Sequence, residues 1–135
     1  MTYVELEHTA DVKIRVIAPT LANLFEEAAR ALMEVMYHTI HPGSITCPIS
    51  ITSDDQISLM HDFLSEILYI SEVEEIVISS ADLIVGEKHL KGVFRGEKFD
   101  PKKHRGGMEV KGISYSGLLI RWEDDHFILE VIFDV

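Results

Sequence analysis

A second cysteine is missing from the 135 residues. Cys47 stands alone, so the chain has neither an internal disulfide nor a multi-cysteine zinc site. A lone thiol agrees with a reducing compartment, and its plain role is that of a small buried hydrophobe. Long apolar runs are missing too: runs such as LLI and VIF fall far short of the ~20 residues a membrane-spanning helix needs. The opening MTYVELEH mixes charge with alternation and has no basic region followed by an apolar one, which predicts no secretory signal and a cytoplasmic protein. Positive charge is scarce. Lys and Arg number 12 against 23 Asp and Glu, for a formal net charge of −11, and basic residues cluster only at Lys98, Lys102, Lys103, His104 and Arg105. That balance repels phosphate backbones, so direct nucleic-acid binding is not expected, and any role in RNA biology should run through another protein. No phosphate-cradling glycine loop, nucleophile elbow or paired-histidine zinc motif occurs, and Ser65, Ser114 and Ser116 lack an activating partner. A self-contained enzyme has little support.

Apolar residues make up 47% of the chain, and a single domain over residues 1–135 should bury about two-thirds of its unfolded surface. Tyr3 to Glu7 and Val12 to Ala18 read as short strands around a polar knot of Glu7, His8, Thr9 and Asp11. Thr20 is the natural N-cap of a first helix, whose Leu21, Leu24, Phe25, Ala28, Leu32, Val35 and Met36 recur at helical spacing as far as Tyr37 or His38. Ser44 to Thr52 reads as a strand whose Pro48 implies either a sheet edge or an irregularity. Ser53 and Gln56 have capping-box spacing, Asp54 and Asp55 suit the positive end of a helix, and Ile57, Met60, Phe63, Leu64, Ile67, Leu68 and Ile70 follow. Beyond Ile76 the period falls to two. Strands are expected over 76–79, 81–85, 90–95, 109–115, 118–122 and 127–133, with turns at Gly86-Glu87 and Asp124-Asp125. The pattern predicts an α+β fold, two helices on one face of a largely antiparallel sheet in a two-layer sandwich.

The candidate chemistry is mostly carboxylate. Asp11 precedes a strand, Asp134 is penultimate, and Val135 carries the main-chain carboxylate. In the last strand Phe127, Leu129, Val131 and Phe133 share one face, which puts Ile128, Glu130, Ile132 and Asp134 on the other. If Asp11 lay beside that strand, carboxylates about 5 Å apart would repel by roughly 3 kcal/mol at an effective dielectric near 20, and a hard cation such as Ca²⁺ or Mg²⁺ would relieve them. No spacing rule joins the two ends, so the plainer reading has Asp11 accepting backbone N–H groups in a turn and Asp134 in solvent. His8 either orients a carboxylate or donates to a backbone carbonyl, His38 and His41 flank a helix end, and His61 reads as a satisfied helix residue. Lys111 interrupts a strand-like run, either as an edge lysine that blocks strand pairing or as a partner for acidic or phosphate groups.

Five ordered segments, covering essentially the whole chain, resemble the archease family. EHTADVKIRV resembles its Glu-His-Thr-Ala-Asp signature. TLANLFEEAARALMEVM and FLSEILYISEVE are similar to its two helices, GEKFDPKKHRGGMEVKGISYSGLLI to its long lysine-bearing region, and VIFDV to its usual ending. The resemblance implies a small α+β accessory protein, not itself catalytic, that assists an RtcB-type RNA ligase in tRNA splicing. The ligase holds GTP and carries the covalent chemistry; the accessory protein promotes guanylylation of the ligase histidine and so permits multiple turnover. It further implies that Asp11, Lys111 and Asp134 are the functional residues, and that Asp11, Asp134 and an oxygen of Val135 bind a divalent cation, calcium first, with Mg²⁺ or Mn²⁺ as alternatives. One departure from the family pattern falls at Ser116, where many members carry histidine. Two readings from other classes stand beside it, a chaperone-like modulator of a tRNA methyltransferase and an autonomous metal-dependent hydrolase.

Overall fold

The computed structural model describes residues 11–37, 39–104 and 106–135. Its elements run β1 (Asp11–Ala18), α1 (Leu21–Met36), β2 (Ile45–Thr52), α2 (Gln56–Val73), β3 (Ile76–Val85), β4 (His89–Lys98), β5 (Gly112–Glu123) and β6 (His126–Asp134). All strand pairs are antiparallel, which agrees with the expected α+β class. Among the described residues the strands divide into two three-stranded sheets, β1-β6-β5 and β2-β4-β3, where the sequence pattern suggested one. Each helix touches both sheets: α1 meets β1, β6 and β3, and α2 meets β5, β2 and β3. Contact with several partners explains the apolar breadth of α2, in which Leu59, Met60, Phe63, Leu64, Ile67, Leu68 and Ile70 are all buried.

Local signals set most boundaries. Thr20 caps α1, its hydroxyl accepting from the Asn23 N–H at 3.1 Å. Pro48 lies in β2 at the edge of its sheet, where the ladder tolerates a missing donor. The Asp124-Asp125 turn is a tight two-residue hairpin between the paired Glu123 and His126, both aspartates at positive φ of 52° and 63°. The cap of α2 differs from expectation: Asp55 fills that position and accepts from the Ser58 N–H at 2.8 Å. Ser53 is still tied to the sheet through its N–H to the Lys88 carbonyl, and its hydroxyl donates to Asp62. The expected pair of strands over 76–85 is one strand with a bulge between Ile78 and Ser80. Likewise 112–123 is one strand, in which residues 115–118 stand opposite a single residue of β6. The expected strand over Tyr3 to Glu7, and with it Glu7, His8 and Thr9, lies outside the described residues, as do His38 and Arg105.

Candidate functional site

The two ends of the chain meet because β1 and β6 are neighbours. Their ladder begins at Asp11↔Asp134 and continues through Lys13↔Ile132, Arg15↔Glu130 and Ile17↔Ile128 on the same face. The opposite face of β6, with Leu129, Val131 and Phe133 fully buried, belongs to the core. A slip of one residue would turn those three outward, so burial holds the register and the register opposes the two aspartates. One step along, the same face is charge-matched. Arg15 Nη2 and Nε donate to Glu130 Oε2 at 2.6 and 3.0 Å, and Lys13 Nζ lies 3.8 Å from Oε1. The hydrogen bond from Arg15 holds the Glu130 carboxyl below the usual glutamate range. At the Asp11↔Asp134 pair two acidic residues stand in register instead, and like charges at directly opposed positions disfavour each other.

Lys111 comes to this corner through its backbone. Its N–H donates to the Asp134 carbonyl at 2.6 Å, and the next residue, Gly112, pairs with Asp134 in the β5 to β6 ladder. A side chain on Gly112 would meet Asp134 Oδ2 only at 3.8 Å, so the carboxylate leans over an open backbone. The approach to Lys111 is held from inside. The Met108 N–H donates to the Val35 carbonyl, left open at the end of α1, and Val110 is fully buried. Val135 packs partly against the core. The fold therefore gathers Asp11, Asp134, Val135 and the Lys111 backbone, while the Lys111, Asp11 and Asp134 side chains join no ion pair among the described residues.

Asp11, Asp134 and the Val135 main chain offer only oxygen atoms as donors. No three His, Cys, Asp or Glu side chains converge among the described residues. Asp11 and Asp134 alone thus do not complete a cation site, and a main-chain oxygen would have to serve as third protein ligand. Such donors fit a hard ion over zinc. The corner is also open: Asp11 and Lys111 are exposed, and a groove of about 570 Å³ lined by Arg30, Glu34, Ile40, Pro42, Ser79 and Ser80 lies elsewhere. An open charged corner suits contact with a macromolecule better than enclosure of a small substrate.

Across nearly the same span, residues 3–135, the chain matches the model of the archease protein family. It belongs to the archease family. It is 35% identical to the archease of Methanosarcina acetivorans over 98% of this chain and 95% of that one, and 34% identical to that of Pyrococcus furiosus over 96% and 95%. The solution structure of Methanobacterium thermoautotrophicum protein 1598 superposes with a TM-score of 0.80 at 32% identity, covering 94% of each chain. An archease of Thermotoga maritima, described as a possible chaperone, shares the fold with a TM-score of 0.68 at 19% identity.

Among the histidines of this archease, two have a structural part that their spacing does not reveal. His104 is buried between Phe99 and Tyr37. Its Nδ1 accepts from the Asp100 N–H at 2.9 Å, which leaves Nε2 to donate to Glu97 Oε1 at 2.8 Å. His61, read from sequence as a satisfied helix residue, is satisfied by β5: its Nε2 donates to the Ile113 carbonyl at 2.9 Å, and its ring stacks on Tyr115 at 3.8 Å and 11°. No local signal pairs positions 61 and 113. No described helix is long and apolar enough to cross a membrane.

Proposed function

We propose that this archease activates an RtcB-type tRNA-splicing RNA ligase without performing the covalent step, promoting attack of the ligase histidine on GTP and so permitting repeated turnover. The observation that carries this reading is the Asp11↔Asp134 register with Lys111 hydrogen-bonded to the same residue. Three residues that the family resemblance nominates thereby share one exposed corner. Asp11, Asp134 and an oxygen of Val135 would hold a divalent cation, Ca²⁺ first, with Mg²⁺ and Mn²⁺ as alternatives. Such an ion, when bound, supplies positive charge near a reaction that gathers negative phosphate charge. Lys111, exposed and tied through its backbone to Asp134, adds a second positive group at the same corner. GTP stays with the ligase, and RNA is met through the ligase, in keeping with the net charge of −11.

The test is a fixed amount of ligase with GTP and excess RNA. Wild-type protein should raise multiple-turnover ligation, whereas Asp11→Ala, Lys111→Ala and Asp134→Ala should remove the stimulation while keeping the circular dichroism spectrum. Full stimulation by all three variants overturns the reading. A chaperone-like role toward a tRNA methyltransferase draws its own support from exposed large side chains, Tyr69 at 54%, Val73 at 60% and Tyr115 at 54%. Recovery of a methyltransferase without ligase in a pull-down would favour it.

A further inference from the structure

We propose that His61, on α2, is the positioning residue that holds Lys111 in register with Asp134; the proposal builds on the function assigned above to that corner. Among the described strands β5 lies at the edge of its sheet, and its start is weakly supported by that sheet. Only Gly112↔Asp134, Ile113↔Phe133 and Ser114↔Ile132 pair before residues 115–118 leave the ladder, which resumes at Leu119↔Glu130. Before Gly112 the chain is neither helix nor strand from Gly106 to Lys111. The segment that carries Lys111 is thus a short ladder with irregular backbone on both sides, the kind of element that frays locally.

His61 grips this ladder from the flank opposite β6. Its Nε2 donates to the carbonyl of the central residue, Ile113, and its ring covers Tyr115 where the strand departs. The platform behind it is firm: Met60, Phe63 and Leu64 are fully buried, and Asp62 accepts from the Ser53 hydroxyl at 2.6 Å. Release of the Ile113 carbonyl would leave the register of Gly112 and the Lys111 N–H to Asp134 hydrogen bond to the three-pair ladder and the buried Val110 and Ile113 side chains, with no hydrogen bond to α2. A histidine that merely satisfied its own nitrogens would have no effect on Lys111. The one residue of α2 bonded to this segment would.

His61→Phe keeps an aromatic ring for Tyr115 and removes the donor, while His61→Gln keeps an amide donor at similar reach. The direct readout is hydrogen exchange at the Lys111 amide in the isolated protein. In His61→Phe it should quicken by about tenfold, the order expected for one lost hydrogen bond, with His61→Gln within about threefold of wild type. In the ligase assay at saturating archease, maximal stimulation should fall in His61→Phe and recover in His61→Gln, with the half-saturating concentration little changed. Tyr115→Leu, at an exposed ring, retains the hydrogen bond and reports the stack alone if His61→Phe fails to fold; it should quicken Lys111 exchange by about threefold. Unchanged Lys111 exchange in the folded variants, or unchanged maximal stimulation, overturns the proposal. Stimulation that survives Lys111→Ala overturns the assigned function instead, and the exchange experiment then still decides whether His61 holds the segment.

Discussion

Replacing Asp11 by asparagine removes one of two carboxylates that β1 and β6 hold opposite each other, and its first expected effect is a gain in stability. Directly opposed residues of an antiparallel pair have Cβ atoms about 5 Å apart. Carboxylates that approached as closely as those Cβ atoms would repel by roughly 3 kcal/mol at an effective dielectric of 20, an upper figure here because Asp134 Oδ2 lies toward Gly112 on the β5 side. Asp11 is exposed and Asp134 only half-buried, so water screens the pair. An effective dielectric of about 60 leaves about 1 kcal/mol. In chelator at low salt, Asp11→Asn should therefore melt about 2–5 °C above wild type. Raising the salt to about 1 M, where the screening length shrinks to about 3 Å, should erase most of the difference. Calcium should reverse the order, stabilising the wild type, which offers both carboxylates, more than the variant. Under the proposed function, the gain would come with loss of ligase stimulation, a trade of stability against activity. An equal or lower melting temperature for Asp11→Asn in chelator at low salt would refute the opposition of the two carboxylates.

Three further outcomes follow from the packing. Gly107, at φ +76° with its backbone against the Met36 carbonyl, should not tolerate a Cβ: Gly107→Ala should lose at least about 2 kcal/mol by urea denaturation, since strain and steric contact add. His104→Ala leaves the half-buried Asp100 N–H without its acceptor and opens a void beside Phe99, which should lower stability by about 3 kcal/mol in the same assay. The Asp55 carboxyl is held below its ordinary range by the hydrogen bond from the Ser58 N–H, and Glu130 by that from Arg15. A depressed folded pKa contributes stability that is present above the unfolded value, about 3.9–4.3, and is lost as pH falls through the folded one. Asp55→Asn should therefore be less stable than wild type at pH 7, with the gap closing below about pH 4; urea midpoints at pH 7, 4 and 2.5 check the sign, and a gap that widens toward acid contradicts it.

Much of this molecule was legible in short stretches of sequence because the signals involved are local. Thr20 stops one helix turn from going uncapped, Pro48 needs an edge, two consecutive aspartates tolerate a tight hairpin, and alternation along Phe127 to Phe133 separates a core face from a charged one. Each depends on chain geometry within a few residues. Competition between neighbours escaped that reading. The cap of α2 fell to Asp55 because Ser53 is bound to the sheet, and the bulges at Ser79 and at 115–118 reconcile pairing with the needs of β4 and β6.

The sequence by itself determined the α+β class, both helices, the outward placement of Asp134 and the membership of the archease family. Tertiary structure alone decided that the strands form two sheets touched by both helices, that Asp11 faces Asp134, that Lys111 binds the Asp134 backbone and that His61 reaches β5. The physical reason is register. Burial of Leu129, Val131 and Phe133 fixes how β6 lies against its neighbours, and a pairing between residues 11 and 134 leaves no trace in the local periodicity of either strand.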